Sequence, residues 1–294
     1  MFSDRFTAGR NQLVGPLPPQ IGFLPFLQVL WLNDNDLSGA IPADIAGAQS
    51  LVTFDVASNQ LTGNIPVSIA NLPNLEVLLL SHNNLSGQIP VSMRRMAELV
   101  RFHAEDNWLS GSIPNLRSAE GLEELRFGNN NFEEQPFPDF ILRLPALKDL
   151  RLNNCTLTGQ LPLGMSNLTE LVKLDLHQNQ LWGEIPGSIS NIQGLRELNL
   201  HDNQLSGLVP MEVTSLSALV QLSLSNNFLS GELPSSLGSM TSLVSLKLEG
   251  NSFSGTVPLS IGQLNQVQIM DLSANNFTGI LPDTIVNMGS LSKL

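Results

Sequence analysis

Tyrosine is absent from the 294 residues, and cysteine occurs once, at Cys155. A lone cysteine excludes an internal disulfide and any zinc site built from several cysteines. Basic residues are few. The chain has 14 Lys and Arg against 26 Asp and Glu, a net charge of −12 that opposes binding to nucleic acid or anionic membrane surfaces. No uninterrupted apolar run reaches the roughly 18 residues of a membrane span, so this segment itself is expected to make no membrane contact. The opening MFSDRFTAGRNQL has no apolar core of the kind a secretory signal carries. Phosphate-binding GxxxxGK[ST], HExxH and GxSxG are missing, as is a kinase glycine-rich loop with its partners. Asp34, Asp36, Ser38 and Gly39 begin like a calcium loop, but Ile45 stands where its bidentate Glu belongs. A non-catalytic protein without cofactor or metal is expected.

What is present is repetition. In LTELVKLDLHQNQLWGEIPGSISN, from Leu168 to Asn191, leucines at 168, 171, 174 and 176 lead to Asn179, Leu181, Gly183, Ile185 and Pro186. The same unit recurs from end to end. Its asparagine position is occupied by Asn11, Asn35, Asn59, Asn83, Asn107, Asn130, Cys155, Asn179, Asn203, Asn227, Asn251 and Asn275. The spacing is 24, except 23 before Asn130 and 25 after it. A period of 20 to 29 residues with LxxLxLxxNxL is the pattern of a solenoid with one short strand per repeat, in which no repeat buries its apolar edge alone. Leu174 and Leu176 share one strand face, and Asp175 and His177 the other. Asn179 is placed to satisfy backbone groups in a tight buried turn, and Cys155 replaces that asparagine as a small buried packing residue. Gly183 suits a backbone conformation or close approach that a side chain hinders, and Pro186 fixes φ as the chain crosses the outer side. The expectation is one domain, 1–294, opening and closing partway through a repeat and irregular near 128–143.

The hallmark LxGxIPxxI stands here as LSGAIPADI, LTGNIPVSI, LSGQIPVSM and LWGEIPGSI. In this the chain resembles plant-type leucine-rich repeat proteins, such as the extracellular regions of receptor-like kinases and receptor-like proteins. The resemblance covers nearly the whole sequence. It implies an α/β solenoid, a curved right-handed coil of about twelve repeats with a parallel concave β-sheet. It also implies recognition of a protein or peptide, or of a glycan, outside the cell or at its surface and as part of a longer protein. A stand-alone scaffold or enzyme inhibitor, the ectodomain of a receptor serine/threonine kinase, and a cytoplasmic location for a complete chain remain alternatives.

Positions six, four, two and one before each register residue are expected on the concave face. All four histidines fall there, at His82, His103, His177 and His201, the last two one above the other in adjacent repeats. Charges concentrate centrally, and Arg126 and Arg151 share a column, so two guanidinium forks are expected to face one anionic group. The candidate ligand residues are Arg101, His103, Arg126, Arg151, Lys173, Asp175, His177 and His201, with Trp31 and Leu79 on an apolar stretch toward the N-terminus. Peptide-hormone receptors of the resembling family use an Arg-x-Arg pair, which Arg101-Phe102-His103 matches only in part. Trp108 and Trp182 are expected at the side, packed against a neighbouring turn. Sequons at Asn84, Asn154, Asn167 and Asn276 are candidate glycosylation sites. Oligomeric state is not encoded in any of these patterns.

Overall fold

A computed structural model describes residues 4–292. Tertiary contacts gather the chain into two compact units, Met1–Glu134 with Pro138–Leu147 and Gln135–Phe137 with Lys148–Leu294. Each is a stack of repeats. In the first, the strands Arg5–Thr7, Val29–Trp31, Thr53–Asp55, Val77–Leu79, Arg101–His103 and Glu124–Arg126 form a parallel ladder without slippage. In the second, Asp149–Arg151, Lys173–Asp175, Glu197–Asn199, Gln221–Ser223, Ser245–Lys247 and Ile269–Asp271 do the same. Each strand has three residues, and only the middle one points inward. Leu30, Phe54, Leu78, Phe102 and Leu125 fill one core; Leu150, Leu174, Leu198, Leu222, Leu246 and Met270 fill the other. The two flanking positions are left on the front face of the sheet, which frees them for recognition.

The asparagine column fixes how repeats stack. Asn179 donates from Nδ2 to the carbonyls of Leu152 at 2.8 Å, Leu176 at 2.9 Å and His177 at 3.2 Å. Its Oδ1 accepts from the amides of Leu157 at 2.9 Å and Cys155 at 3.1 Å. One buried side chain therefore satisfies groups from its own turn and from the repeat before it, which would otherwise stay dry and unpaired. Asn83 repeats the arrangement in the first unit. Cys155 is buried, and its thiol lies 3.4 Å from the Asn153 carbonyl.

Two expectations about the backbone need correction. The sequence pattern gave one strand per repeat, but the LxG segment forms a second. Asp36–Ala40, Gln60–Asn64, Asn84–Gln88 and Trp108–Gly111 pair in parallel in the first unit. Gln180–Gly183, Gln204–Gly207, Phe228–Gly231 and Ser252–Gly255 do so in the second. The glycine makes this possible: Gly183 has φ +83, a turn that lets the strand end and the chain bend toward the return. Secondly, the residue just before the register asparagine does not project from the sheet. It turns in the left-handed region, with φ +53 at Gln178 and Asp202 and φ +56 at His82. His82 is thus an exposed turn residue whose Nδ1 lies 3.1 Å from Asp106.

Pro186, at φ −69, precedes a 3-10 helix of Gly187–Asn191 that buries Ile189, and comparable 3-10 turns form most other returns. The irregular sixth repeat carries two short pieces of strand. Asn131–Phe132 pairs with Trp108–Gly111 in the first unit, and Gln135–Pro136 pairs with Leu157–Gly159 in the second.

Candidate functional site

The front face of the first unit centres on one carboxylate. Arg101 and Glu124 are register partners, as are His103 and Arg126. Glu124 receives three side chains: Arg101 Nε at 3.5 Å, His103 Nε2 at 2.9 Å and Arg126 Nη2 at 3.0 Å. His103 is well covered and Arg101 is half exposed. Arg126 lies in the first unit and Arg151 in the second, and each guanidinium turns to an acid on its own strand. Arg126 takes Glu124, while Arg151 grips the buried Asp149 through Nε at 3.0 Å and Nη2 at 3.1 Å. A carboxylate two residues away is within reach at no cost in loop closure, so it is captured first.

The second unit brings most of its candidates together. Arg151, Lys173, Asp175 and His201 line one cavity of about 180 Å³ on the front face, with Glu197, Asn199, Gln221, Ser223, Ser245 and Lys247. Lys173 Nζ lies 2.7 Å from Glu197 Oε1 across the ladder. His177 stacks on His201, with ring centroids 4.4 Å apart and planes at 21°. Each ring is oriented through Nδ1, His177 by Asp175 at 2.6 Å and His201 by Asp202 at 2.7 Å. Burial would raise the Asp202 carboxyl. Hydrogen bonds from Asn226 and His201, with the charges of His201 and His177, outweigh that and hold it below the ordinary carboxylate range. Lys247 is exposed in the cavity wall and, among the described residues, has no ion pair.

Lys247, Gln221, Ser223 and Ser245 were missed by sequence reasoning, which followed the density of charge toward the middle of the chain. Their signal was present in the columns: they occupy the same two strand positions as Lys173 and Asp175. Trp31 stands apart, 47% exposed, beside a cavity of about 410 Å³ lined by Thr7, Gly9, Arg10, Asn33 and Asp55. Burial pushes Asp55 above its ordinary value, opposed by the Ala57 amide and reinforced by the charge of Asp34. Leu79 is half buried and pairs with Asp55 and His103 in the ladder. Trp108 and Trp182 lie in second strands as expected for the side, yet they are 59% and 47% exposed rather than packed away, because their strand positions point outward. Asn84, Asn154, Asn167 and Asn276 are all exposed. Among the described residues, no group of three His, Cys, Asp or Glu is placed to hold a metal ion, and no helix is long and apolar enough to cross a membrane.

Leucine-rich repeat profiles match residues 169–229 and 193–253 in one form, and 26–48, 50–72, 74–96, 146–168 and 266–288 in another. No curated protein matches the sequence. Among solved structures, the ectodomain of the Arabidopsis thaliana membrane receptor kinase GASSHO1/SCHENGEN3, in complex with CASPARIAN STRIP INTEGRITY FACTOR 2, superposes with a TM-score of 0.94. It is 35% identical over 99% of this chain and 35% of its own. The Arabidopsis receptor kinase HAESA, in complex with the peptide hormone IDA and the co-receptor SERK1, gives 0.84 with 34% identity, over 99% of this chain and 53% of its own. The plant peptide hormone receptor RGFR1, in complex with RGF2, gives 0.80 with 29% identity, over 98% and 54%. The chain thus spans between about a third and a half of the structures it resembles.

Proposed function

The chain belongs to the plant-type leucine-rich repeat proteins, and on that premise we propose that it recognises an extended peptide on the front face of its parallel strands. The observation that carries the proposal is the polar cavity around Lys173, Glu197 and Lys247. At about 180 Å³ it is smaller than the roughly 300–1,000 Å³ of a small-molecule pocket, so it fits one side chain or chain end, with the remaining ligand laid along the strands. Lys173 and Arg151 are neutralised by their own acids. Lys247 is not, so it supplies the attraction for an anionic group on the peptide. Gln221, Ser223 and Ser245 offer neutral hydrogen-bonding groups beside it. Within the second unit, Arg151, Lys173, Asp175, His177 and His201 serve as the polar lining of such a track; on the front strands of the first unit, Arg101, His103 and Arg126 serve as polar contacts and Trp31 and Leu79 as apolar ones.

HAESA is described with a peptide hormone and a co-receptor, and RGFR1 as a peptide hormone receptor. That company supports a peptide as ligand, a receptor-like role within a longer protein and a place outside the cell, where the exposed Asn84, Asn154, Asn167 and Asn276 would accept glycans. A random-peptide array probed with the wild-type chain and with Lys247→Glu tests the reading. The expected outcome is capture of peptides enriched in acidic residues or free carboxylates, lost about tenfold or more in the variant. An identical capture profile for both proteins would remove the cavity from consideration.

A further inference from the structure

The returns of the first unit carry a second candidate site, on the segments that follow the prolines rather than on the front strands. The fifth repeat is one residue short, since Leu122 stands eight positions after Pro114, where Leu99 stands nine after Pro90. The deletion falls directly after the proline. Apolar contacts are kept, with Leu116, Ala119 and Leu122 all buried. What is lost is the first turn of helix: among the described residues, this return alone carries no 3-10 helix. Asn115 replaces that turn with a local lock, its Oδ1 accepting from the Arg117 amide at 3.0 Å.

The missing turn leaves a notch beside the preceding return, the 3-10 helix Val91–Arg95. It is a cavity of about 480 Å³ lined by Val91, Arg94, Arg95, Pro114, Asn115, Arg117 and Ser118. Three arginines face this space, in a chain with only 14 basic residues and a net charge of −12. All three are exposed and, among the described residues, none has an ion pair. The carbonyl end of the short helix favours a cation at Arg94 or Arg95. It does not account for Arg117, which comes from the next return, where the Asn115 side chain fixes its backbone amide.

We propose that this notch binds a tetrahedral oxyanion, a phosphate or sulfate group borne on a partner. Three guanidinium groups bring three positive charges and many N–H donors. A single carboxylate, with two oxygens and one charge, matches one fork; a group with three or four oxygens and about two charges can answer several at once.

The test is a titration of the full chain followed through the arginine Nε–H signals by NMR, with inorganic phosphate, inorganic sulfate and acetate at matched ionic strength. Saturable shifts of the Arg94, Arg95 and Arg117 signals by phosphate or sulfate, with acetate at least about tenfold weaker, are expected. Arg117→Gln should weaken binding about tenfold, and the triple change of Arg94, Arg95 and Arg117 to Gln should abolish it, with the circular dichroism spectrum unchanged. Phosphoserine and tyrosine O-sulfate then identify which ester is preferred. Non-saturable shifts, equal response to acetate, or full binding by the triple variant would each overturn the proposal.

Discussion

At the scale of single residues, backbone geometry and buried charge make opposite demands, and both are measurable. Ala274 occupies the left-handed turn before Asn275 with φ +51 and an exposed side chain. An alanine there costs about 1–2 kcal/mol in steric strain, and a glycine would give back about 0.4–1 kcal/mol in chain entropy on folding. Strain is the larger quantity. Ala274→Gly is therefore expected to raise stability by about 0.5–1 kcal/mol, read as a higher urea midpoint with an unchanged slope. Asp55 behaves differently. Its folded-state carboxyl is raised by burial, so its protonated form suits the fold, and its contribution becomes unfavourable as pH climbs through that raised value. Asp55→Asn keeps an oxygen for the Ala57 amide, which Asp55 Oδ1 meets at 3.0 Å. The variant should melt about 1–2 °C higher at neutral pH, with the advantage vanishing as pH falls into the carboxylate range. An advantage that persists in acid would point to packing rather than charge.

At the scale of an element, the asparagine column is the device that turns a repeated sequence into stacked strands. Asn179 serves three carbonyls and two amides. Removing it leaves those groups buried without partners at about 1–3 kcal/mol for each poorly rescued one. Asn179→Ala should cost about 3 kcal/mol and act locally, because each repeat touches mainly its neighbours. Hydrogen exchange at the Leu157 and Cys155 amides should accelerate far more than exchange near Leu222. Uniform acceleration would show instead that the second unit opens as one cooperative block. Elements also explain what the sequence concealed. The three-residue strands were legible from Leu174 and its equivalents, since a buried middle residue between two polar ones is the period-two pattern in miniature. The second strands were not, because LxG reads as a turn, and its pairing depends on backbone groups rather than on side-chain pattern.

At the scale of the whole molecule, the repeat was readable because every copy restates it, and the face positions were readable because register follows from the period. Which face residues act together was only partly so. His177 and His201 were expected one above the other, and their rings do stack. Arg126 and Arg151 were expected to face one anionic group; each is seen to pair with a carboxylate on its own strand, Glu124 and Asp149. A column count registers spacing; it does not register competition from a neighbour two residues away. Lys247 was passed over for the converse reason. It lies between Ser223 and Asp271 in the ladder, where charge is sparser than in the middle of the chain, and among the described residues it has no ion pair. The net charge of −12 adds a molecule-wide consequence. An acidic peptide approaching Lys247 meets an unfavourable long-range field, so its association rate should rise with added salt until screening reaches the local attraction. Stopped-flow measurements from low to moderate salt check this, and a rate that falls monotonically would argue for a basic ligand instead.

The central claim, recognition of a peptide on the front face, is tested most directly by site-specific cross-linking. A photoreactive residue at Gln221, exposed in the front strand, is compared with one at Asn191, exposed at the end of a return helix. With peptides captured by the wild-type chain, cross-linking is expected at position 221 and only at background level at position 191. Cross-linking at 191 equal to or greater than that at 221 would contradict the account and move recognition to another surface.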